Sequence, residues 1–415
     1  MRIAIVGTGV AGLTCAHLLH GIHDVTVFEA QDRPGGHANT VRVDLPDGPV
    51  DVDTGFLVYN ERTYPLLIRL FERLGVETGP SDMSFSVSDE TAGLEWRGTS
   101  PNTVFAQRRN LVRPGFLRML RDVARFNRLA TSSLDEPPDD DVSLADLLAR
   151  RAWSDEFLHW YLLPLGSAIW SADPATFTGI PARTFAEFFS RHGLLGLGHQ
   201  PPWRTVPGGS ARYVRAVLNP LQAEGRVRMS SPVQKIRRVG GTVELVSAAG
   251  PELFDHVILA THSDEALELL GDPTTAEREV LGSIPYQDNR ATLHTDAGLL
   301  PSNRRAWASW NYHRFADAPE RATLTYDINR LQGLATTTPV LVTLNRDDAI
   351  DPAAVLQRFD YSHPVFDTRG VANQRRQLEL SAHQTSFCGA YWGYGFHEDG
   401  VRSATAICAR LGGRL

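Results

Sequence analysis

The sequence predicts an α/β protein, a Rossmann-like dinucleotide-binding domain joined to a second, α+β domain, on three observations. The stretch RIAIVGTGVAGLTCAHLL, residues 2–19, sets Gly7, Gly9 and Gly12 as G-x-G-x-x-G between a β-branched run and an apolar helical run. A second apolar run, VTVFE at 25–29, ends in Glu29, seventeen residues after Gly12, where the motif places an acid for a ribose 2′-hydroxyl. The length of 415 residues exceeds one compact core at roughly 150 residues per domain.

Each part of the motif answers a physical need. Residues 2–6 read as a buried parallel strand and 10–22 as a helix. Gly7 permits the tight turn, Gly9 lets backbone approach a pyrophosphate, and Gly12 lets helix and strand pack closely. Ala11 lies in the first helical turn, whose free N–H groups and positive dipole end face the phosphates. An acid at Glu29 disfavours a 2′-phosphate, and so NADP.

Composition narrows the class. A net charge of −7 argues against nucleic acid as a partner. Three cysteines, spread over the chain without metal-ligand spacing, point to a reducing compartment and no metal site. The apolar start is broken by glycines and followed by histidines, unlike a signal peptide, and no run of about eighteen apolar residues occurs. The expectation is a cytoplasmic protein.

The next stretch is EAQDRPGGHANTVRVDLPDGPVDVDTGFLVYN, residues 29–60. In it Arg33, Gly35, Gly36 and His37 resemble the R-x-G-G-[RH] extension, and Asp53, Thr54, Gly55 and Phe56 the D-x-G segment, of the FAD oxidoreductases of the amine oxidase superfamily. That superfamily includes the phytoene desaturase-like proteins. The resemblance implies FAD, held by a Rossmann-like domain of the GR2 flavoprotein type. Gly35 and Gly36 would pass close to the pyrophosphate and ribityl, and Thr54, Gly55 and Phe56 would approach the isoalloxazine. SSPVQKIRRVGGTVELVSAAG resembles the adenine-side hairpin, with Val233 toward the adenosine end. DHVILATHSDEALELL resembles the strand returning to the cofactor, with Ala260 and Thr261 at its end. SFCGAYWGYGFHEDGVRSATAICARL resembles the closing strand, loop and helix. Gly389 ends that strand, and Phe396, His397 and Glu398 would turn helix N–H groups toward flavin N1 and O2, a place that favours the anionic reduced ring.

The phrases VDTGFLVYN, LPLGSAIWSADP, PPWRTVPGGSARYV and FCGAYWGYGFHEDG carry a closer likeness, to bacterial FAD oxidoreductases similar to the amino-terminal domain of plant cyclopropane fatty acid synthases. Such proteins accompany fatty-acyl-phospholipid methyltransferases, so the likeness implies a methyltransferase partner and a lipid acyl substrate.

These segments imply a discontinuous FAD domain from 1–80, 204–275 and 376–415, and a substrate domain from insertions 81–203 and 276–375. The first insertion reads as mainly helical, with Pro114 opening a helix to about 130, Ser143 capping another and Ser154 a third through Trp160. LDEPPDDDV is a charged, proline-broken loop. The second insertion, with RATLTYDIN and PVLVTLN, reads as an antiparallel sheet over the flavin.

For the chemistry, the family's usual lysine near flavin N5 has one candidate, Lys235, and that falls in the adenine-side hairpin. This departure weighs against amine oxidation. Trp170, Trp307, Trp310, Tyr312, Trp392 and Tyr394 form an aromatic set suited to an acyl chain. Tyr312, Trp392 and Tyr394 are the catalytic candidates, Tyr312 as a proton partner and the other two as walls that place a carbon against N5. His313, His383 and His397 read as structural, and Cys388 as an inert thiol rather than a flavin attachment. Segment 108–128 holds seven arginines and one acid, with Arg118, Arg121, Arg125 and Arg128 on one helix face beside an apolar stripe of Phe116, Leu120, Val123 and Phe126. Two readings stand for it, peripheral contact with the inner membrane face or pairing with acids of its own protein. The expected activity is two-electron dehydrogenation of a fatty acyl or methylated phospholipid chain. Oxygen or another acceptor would restore the flavin, since no second dinucleotide motif is present. The alternatives are oxidation of an amine or other small apolar metabolite, and an FAD-bearing accessory subunit of a methyltransferase.

Overall fold

The structure, a computed structural model, describes residues 1–137, 141–196, 201–318, 320–381 and 384–415. The middle of the 134–142 loop and His383 therefore lie outside the described residues.

A five-stranded parallel sheet forms the cofactor half of the fold. Strand β1 (Arg2–Val6) leads through the glycine turn into helix α1 (Val10–Leu19), which returns to strand β2 (Asp24–Phe28). Across the sheet the order is Val227–Arg228, β2, β1, His256–Leu259 and Thr385–Phe387, all parallel. The central strands are buried on both faces, which is why they read as continuous apolar runs without alternation. Helix α1 stops at Leu19, short of the expected residue 22, because His20 takes extended backbone. It is buried on nearly every side, between the sheet and the closing helix His397–Arg410. Close packing there depends on small residues: a Cβ at Gly400 would sit 2.6 Å from the Val10 side chain.

A seven-stranded sheet forms the other half, in the order Val355–Pro364, Tyr286–His294, Leu341–Leu344, Leu324–Asp327, Trp310–Arg314, Phe85–Asp89 and Leu94–Arg97. It is antiparallel except between Trp310–Arg314 and Phe85–Asp89. Its last two strands come from the 81–203 insertion, which the sequence reads as helical. In FSVSD the serines are buried, and Ser86 donates to Asn311 (2.9 Å) while neighbouring Ser84 and Ser309 exchange backbone and hydroxyl bonds (2.7 and 2.9 Å). Bonded serines in a core hide the apolar signal of a strand. Elsewhere the insertion is helical: the arginine helix spans Pro114–Ser133, Ser143 caps Leu144–Ala149, and Ser154 caps Asp155–Phe157 ahead of a wide turn through Leu162.

Candidate functional site

At the carboxyl ends of β1 and β2 the chain is shaped around a void. Gly7 has φ +100°, and a Cβ there would lie 2.9 Å from the Ala260 carbonyl oxygen. At Gly12 a Cβ would meet the Gly7 oxygen at 2.0 Å, so the turn and helix close only around glycine. Gly9 differs, because a Cβ there meets nothing within 4 Å. It faces the open side, with Gly36 (φ +58°) close enough that its Cβ would lie 3.2 Å from the Gly9 Cα. Glu29 follows β2 and accepts from the Thr8 N–H (3.0 Å), the Thr8 hydroxyl and the Gln31 N–H (2.9 Å). Thr8 also accepts from the Gly35 N–H (3.0 Å), tying the two glycine turns together. Arg33 braces its own turn through the Gly36 carbonyl (2.8 Å).

The second glycine turn delivers the chain to Thr54–Phe56. Phe56 N–H donates to the His37 carbonyl (2.7 Å), and a Cβ at Gly55 would lie 2.3 Å from that same oxygen. The Phe56 ring stacks on His397, centroids 3.7 Å apart, at the start of the closing helix. Among the described residues the N–H groups of Val10, Ala11, His397 and Glu398 have no protein acceptor. Two helix N-termini thus offer free donors and positive dipole ends to one space.

The Glu398 side chain is otherwise engaged, accepting from the Leu66 (3.1 Å) and Leu67 (2.9 Å) N–H groups of helix Pro65–Leu74. Its backbone alone faces the space. Asp399 holds the preceding turn through the Tyr394 (3.0 Å) and Phe396 (3.1 Å) N–H groups. Asp53 anchors the other side, accepting from the Ser210 N–H (2.9 Å), the Ser210 hydroxyl (2.7 Å) and Thr40 (2.6 Å). Burial pushes its carboxyl up to about 6 against those bonds.

A polar junction that the sequence reading missed joins this space to the seven-stranded sheet. Thr54 bonds the Tyr361 hydroxyl (2.8 Å), and Asn39 donates to both (3.0 and 2.9 Å). His37 stacks on Tyr361 at 4.8 Å and meets His363 edge-on at 5.0 Å, with its Nε2 buried and unpartnered. Asn289, opposite Tyr361 in the sheet, donates to His363 Nδ1 (3.0 Å) and the Ser171 carbonyl (2.9 Å) and accepts from Asn345 (2.7 Å). Burial lowers His37 and holds His363 down at about 4 and His397 at about 3, so all three are neutral near pH 7. Asn289→Leu is expected to destabilise the fold by about 3 kcal/mol, because three buried groups lose their partner at once. Thermal melts would check this, and a change under about 0.5 kcal/mol would contradict it.

The aromatic set divides. Trp170 donates to the Tyr394 carbonyl (3.3 Å) and lies against Phe188, and Phe188 stacks on Phe396. These rings lead to the start of the closing helix. Trp392, half-buried with its indole nitrogen unpartnered, sits beside Tyr391, and the Tyr394 hydroxyl reaches Glu187 (3.4 Å). Tyr312 is buried in the sheet core with Leu57 and Tyr361, and burial raises its phenol far above neutrality. Trp307 bonds the Pro301 carbonyl and Trp310 packs on Tyr326, both within the sheet region. His313 stacks on Phe315 and is structural. Val233 is half-buried on the hairpin Val233–Val239, and Lys235 lies two residues on, beside Gly271. Cys388 is fully buried, 3.7 Å from the Cys15 sulfur.

A surface concavity of about 560 Å³ lies at the opposite ends of β1 and β2, lined by His20, Asp24, Glu224 and Arg226. Its charges pair with each other, and open α/β sheets bind ligands at strand carboxyl ends, so the glycine-turn space is the site. A flavin dinucleotide fits the residues present there. Gly9 leaves room for a pyrophosphate, Glu29 stands at ribose distance along β2, and the donors of the closing helix face the ring end.

Known proteins resemble this chain as follows. The family model for flavin containing amine oxidoreductases matches residues 10–292. A Mycobacterium tuberculosis protein named as a flavin-containing monoamine oxidase, AofH, is 24% identical over 392 residues, covering 90% of this chain and 77% of that one. Cyclohexylamine oxidase from Brevibacterium oxydans superposes with a TM-score of 0.69 at 19% identity, over 99% of each chain. A CLA-producing fatty acid isomerase from P. acnes does so equally, with a TM-score of 0.69 at 16% identity, over 99% of this chain and 98% of that one.

Proposed function

We propose a reaction for a chain that belongs to the flavin containing amine oxidoreductase family: as an FAD-dependent oxidoreductase, it dehydrogenates the acyl chain of a fatty acid or phospholipid. FAD, held by the two glycine turns and the start of the closing helix, would supply a two-electron acceptor for this chemistry. The observation that carries the acyl reading is the position of the chain's single lysine, on the strand Val233–Val239 of a three-stranded sheet that takes in no part of the first 230 residues, the 54–56 segment included. The rings of Trp170, Phe188, Tyr394 and Phe396, packed together beside the start of the closing helix, give that end of the site an apolar wall and support an apolar substrate. The fatty acid isomerase among the structural neighbours supports it at the level of fold.

In this reading the chain's own residues bind, orient and exclude water. Trp392 and Tyr394 hold the acyl chain against the ring end, and the His397 and Glu398 N–H groups stabilise negative charge arising there. Tyr312, kept as a phenol by burial, can hold a proton but not serve as an anion. The likeness to partners of fatty-acyl-phospholipid methyltransferases supports such an enzyme as the source of methylated substrate.

Amine oxidation is the second reading, favoured by the names of AofH and cyclohexylamine oxidase. A product assay separates the two. Phospholipid vesicles incubated with the FAD-loaded protein and an electron acceptor are expected to yield acyl chains lighter by two hydrogens in mass spectra. Unchanged chains, with aldehyde formed from a panel of amines, would replace the acyl reading. Unchanged chains with no amine turnover, and a stable methyltransferase complex, would favour an accessory role. Because Cys388 is enclosed against Cys15, acid precipitation is expected to release the flavin to the supernatant, whereas a yellow pellet would reveal a covalent bond.

A further inference from the structure

The arginine-rich segment splits into two parts with different roles. Along the helix Pro114–Ser133 the apolar stripe faces inward, with Phe116, Met119 and Phe126 buried, so it is not free to meet a lipid. Most of the expected cationic face is also engaged. Arg118 pairs with Glu156, and Arg125 lies over Trp153 at 4.6 Å and donates to the Ala152 carbonyl (2.9 Å). Of the two readings of this helix, pairing with acids of its own protein holds for Arg118 through Glu156, and the buried stripe does not offer the whole helix as a membrane face.

The turn ahead of the helix is different. Leu111, Val112 and Leu117 are 52%, 79% and 45% exposed, three of the nine exposed large hydrophobics among the described residues. The other six are Met1, Ile22, Val239, Leu253, Leu356 and Leu378, and no two of them fall within ten residues of each other. Arg108 and Arg109 precede the three and bond to Asn102 and to main-chain carbonyls, with no carboxylate paired to either among the described residues. Arg121, one turn beyond Leu117, pairs with the buried Asp122 at 3.3 Å but keeps its side chain 71% exposed, so it can turn a second face to an anion. The helix start adds its positive dipole end, with no acid in the first turn. A chain of net charge −7 thus concentrates cations around one exposed apolar knuckle.

We propose that the knuckle Arg108–Leu117 docks the protein on an anionic lipid surface. Leu111, Val112 and Leu117 enter the acyl boundary, and Arg108, Arg109 and Arg121 meet lipid phosphates. A second copy of the chain on a two-fold axis would bring these arginines against their own counterparts, which opposes a dimer through this face. The proposal needs no turnover, so it stands or falls separately from the acyl chemistry.

The test is sedimentation of the FAD-loaded full chain with vesicles of phosphatidylcholine alone or mixed with phosphatidylglycerol. Binding is expected only with phosphatidylglycerol, falling as salt rises. Arg108→Gln with Arg109→Gln should weaken it about fivefold per arginine removed. Leu111→Ser, Val112→Ser and Leu117→Ser together should abolish it, with flavin absorbance unchanged because all three side chains are exposed. Val239→Ser with Leu253→Ser, equally exposed elsewhere, should leave binding unaltered. Absence of wild-type binding, or equal binding by the triple variant, would overturn the proposal. So would a triple variant that sediments as a smaller species in solution, since a second copy would then be what covers the knuckle.

Discussion

Gly9→Val is expected to give a folded but colourless protein. Gly9 caps α1 with φ −62° and ψ 173°, backbone that valine adopts readily, and a Cβ there meets no atom within 4 Å. The folded chain therefore loses only about 1 kcal/mol, the usual cost of an aliphatic residue at a helix cap. The new side chain instead fills the room left for the pyrophosphate beneath the free N–H groups of α1. Displacing it forfeits two or three charge-assisted hydrogen bonds at about 1.5–3 kcal/mol each, so FAD affinity should drop by at least about a hundredfold. Gly12→Val is the contrast, because its Cβ would lie 2.0 Å from the Gly7 oxygen and the fold itself should fail. Flavin absorbance per protein and melting of the FAD-free chain check both. A yellow Gly9→Val protein would show that the cofactor lies elsewhere.

Lowering the pH from 6.5 to 4 is expected to unfold the protein. Burial pushes His192, His256, His294 and His363 down to about 4 and His397 to about 3, and lowers His37 as well. A histidine depressed in the folded state binds fewer protons there than in the unfolded chain, so its contribution is complete above pH 6.5. That contribution is lost as pH falls toward the folded value. Each such group gives a slope of about 1.4 kcal/mol per pH unit in that window. Asp53, raised to about 6, and Glu398 and Asp399, raised in the same direction by burial, act oppositely and gain stability on acidification. Six histidines outweigh them, and their summed loss rivals the roughly 5–15 kcal/mol that holds a domain together. The melting temperature should fall steeply between pH 6.5 and 4.5, and a flat profile would contradict the burial of these rings.

What the sequence made legible is what phosphate chemistry constrains locally. Gly7, Gly12, Gly35 and Gly55 are glycines because a Cβ at each would press on a backbone oxygen within a few ångströms, and Glu29 ends the strand that must carry the ribose acid. Such requirements act at fixed short spacing, so they survive in a one-dimensional reading. The polar junction did not show, because Thr54 meets Tyr361 across 307 residues and Asn289 lies opposite Tyr361 on a different strand, and none carries a local signature. The strand Phe85–Asp89 was hidden because buried serines interrupt its apolar pattern, Ser86 bonding Asn311 and the neighbouring Ser84 bonding Ser309, partners far along the chain. The arginine count in 108–128 was visible, but not that Glu156 and Trp153 consume the helix face and leave the preceding turn exposed. The aromatic candidates were a set by composition alone, and folding sends Trp170 and Tyr394 toward the closing helix while Trp307 and Trp310 stay with the sheet.

The central claim is that FAD held between the glycine turns and the closing helix takes electrons from an acyl chain. Following the visible spectrum of the FAD-loaded protein anaerobically, while phospholipid bearing monounsaturated or methylated chains is added beside a parallel amine series, tests it most directly. Stoichiometric bleaching of the flavin band by lipid, and none by amines, is the expected result. Bleaching by an amine with lipid inert would contradict it and make this chain an amine oxidase without the lysine.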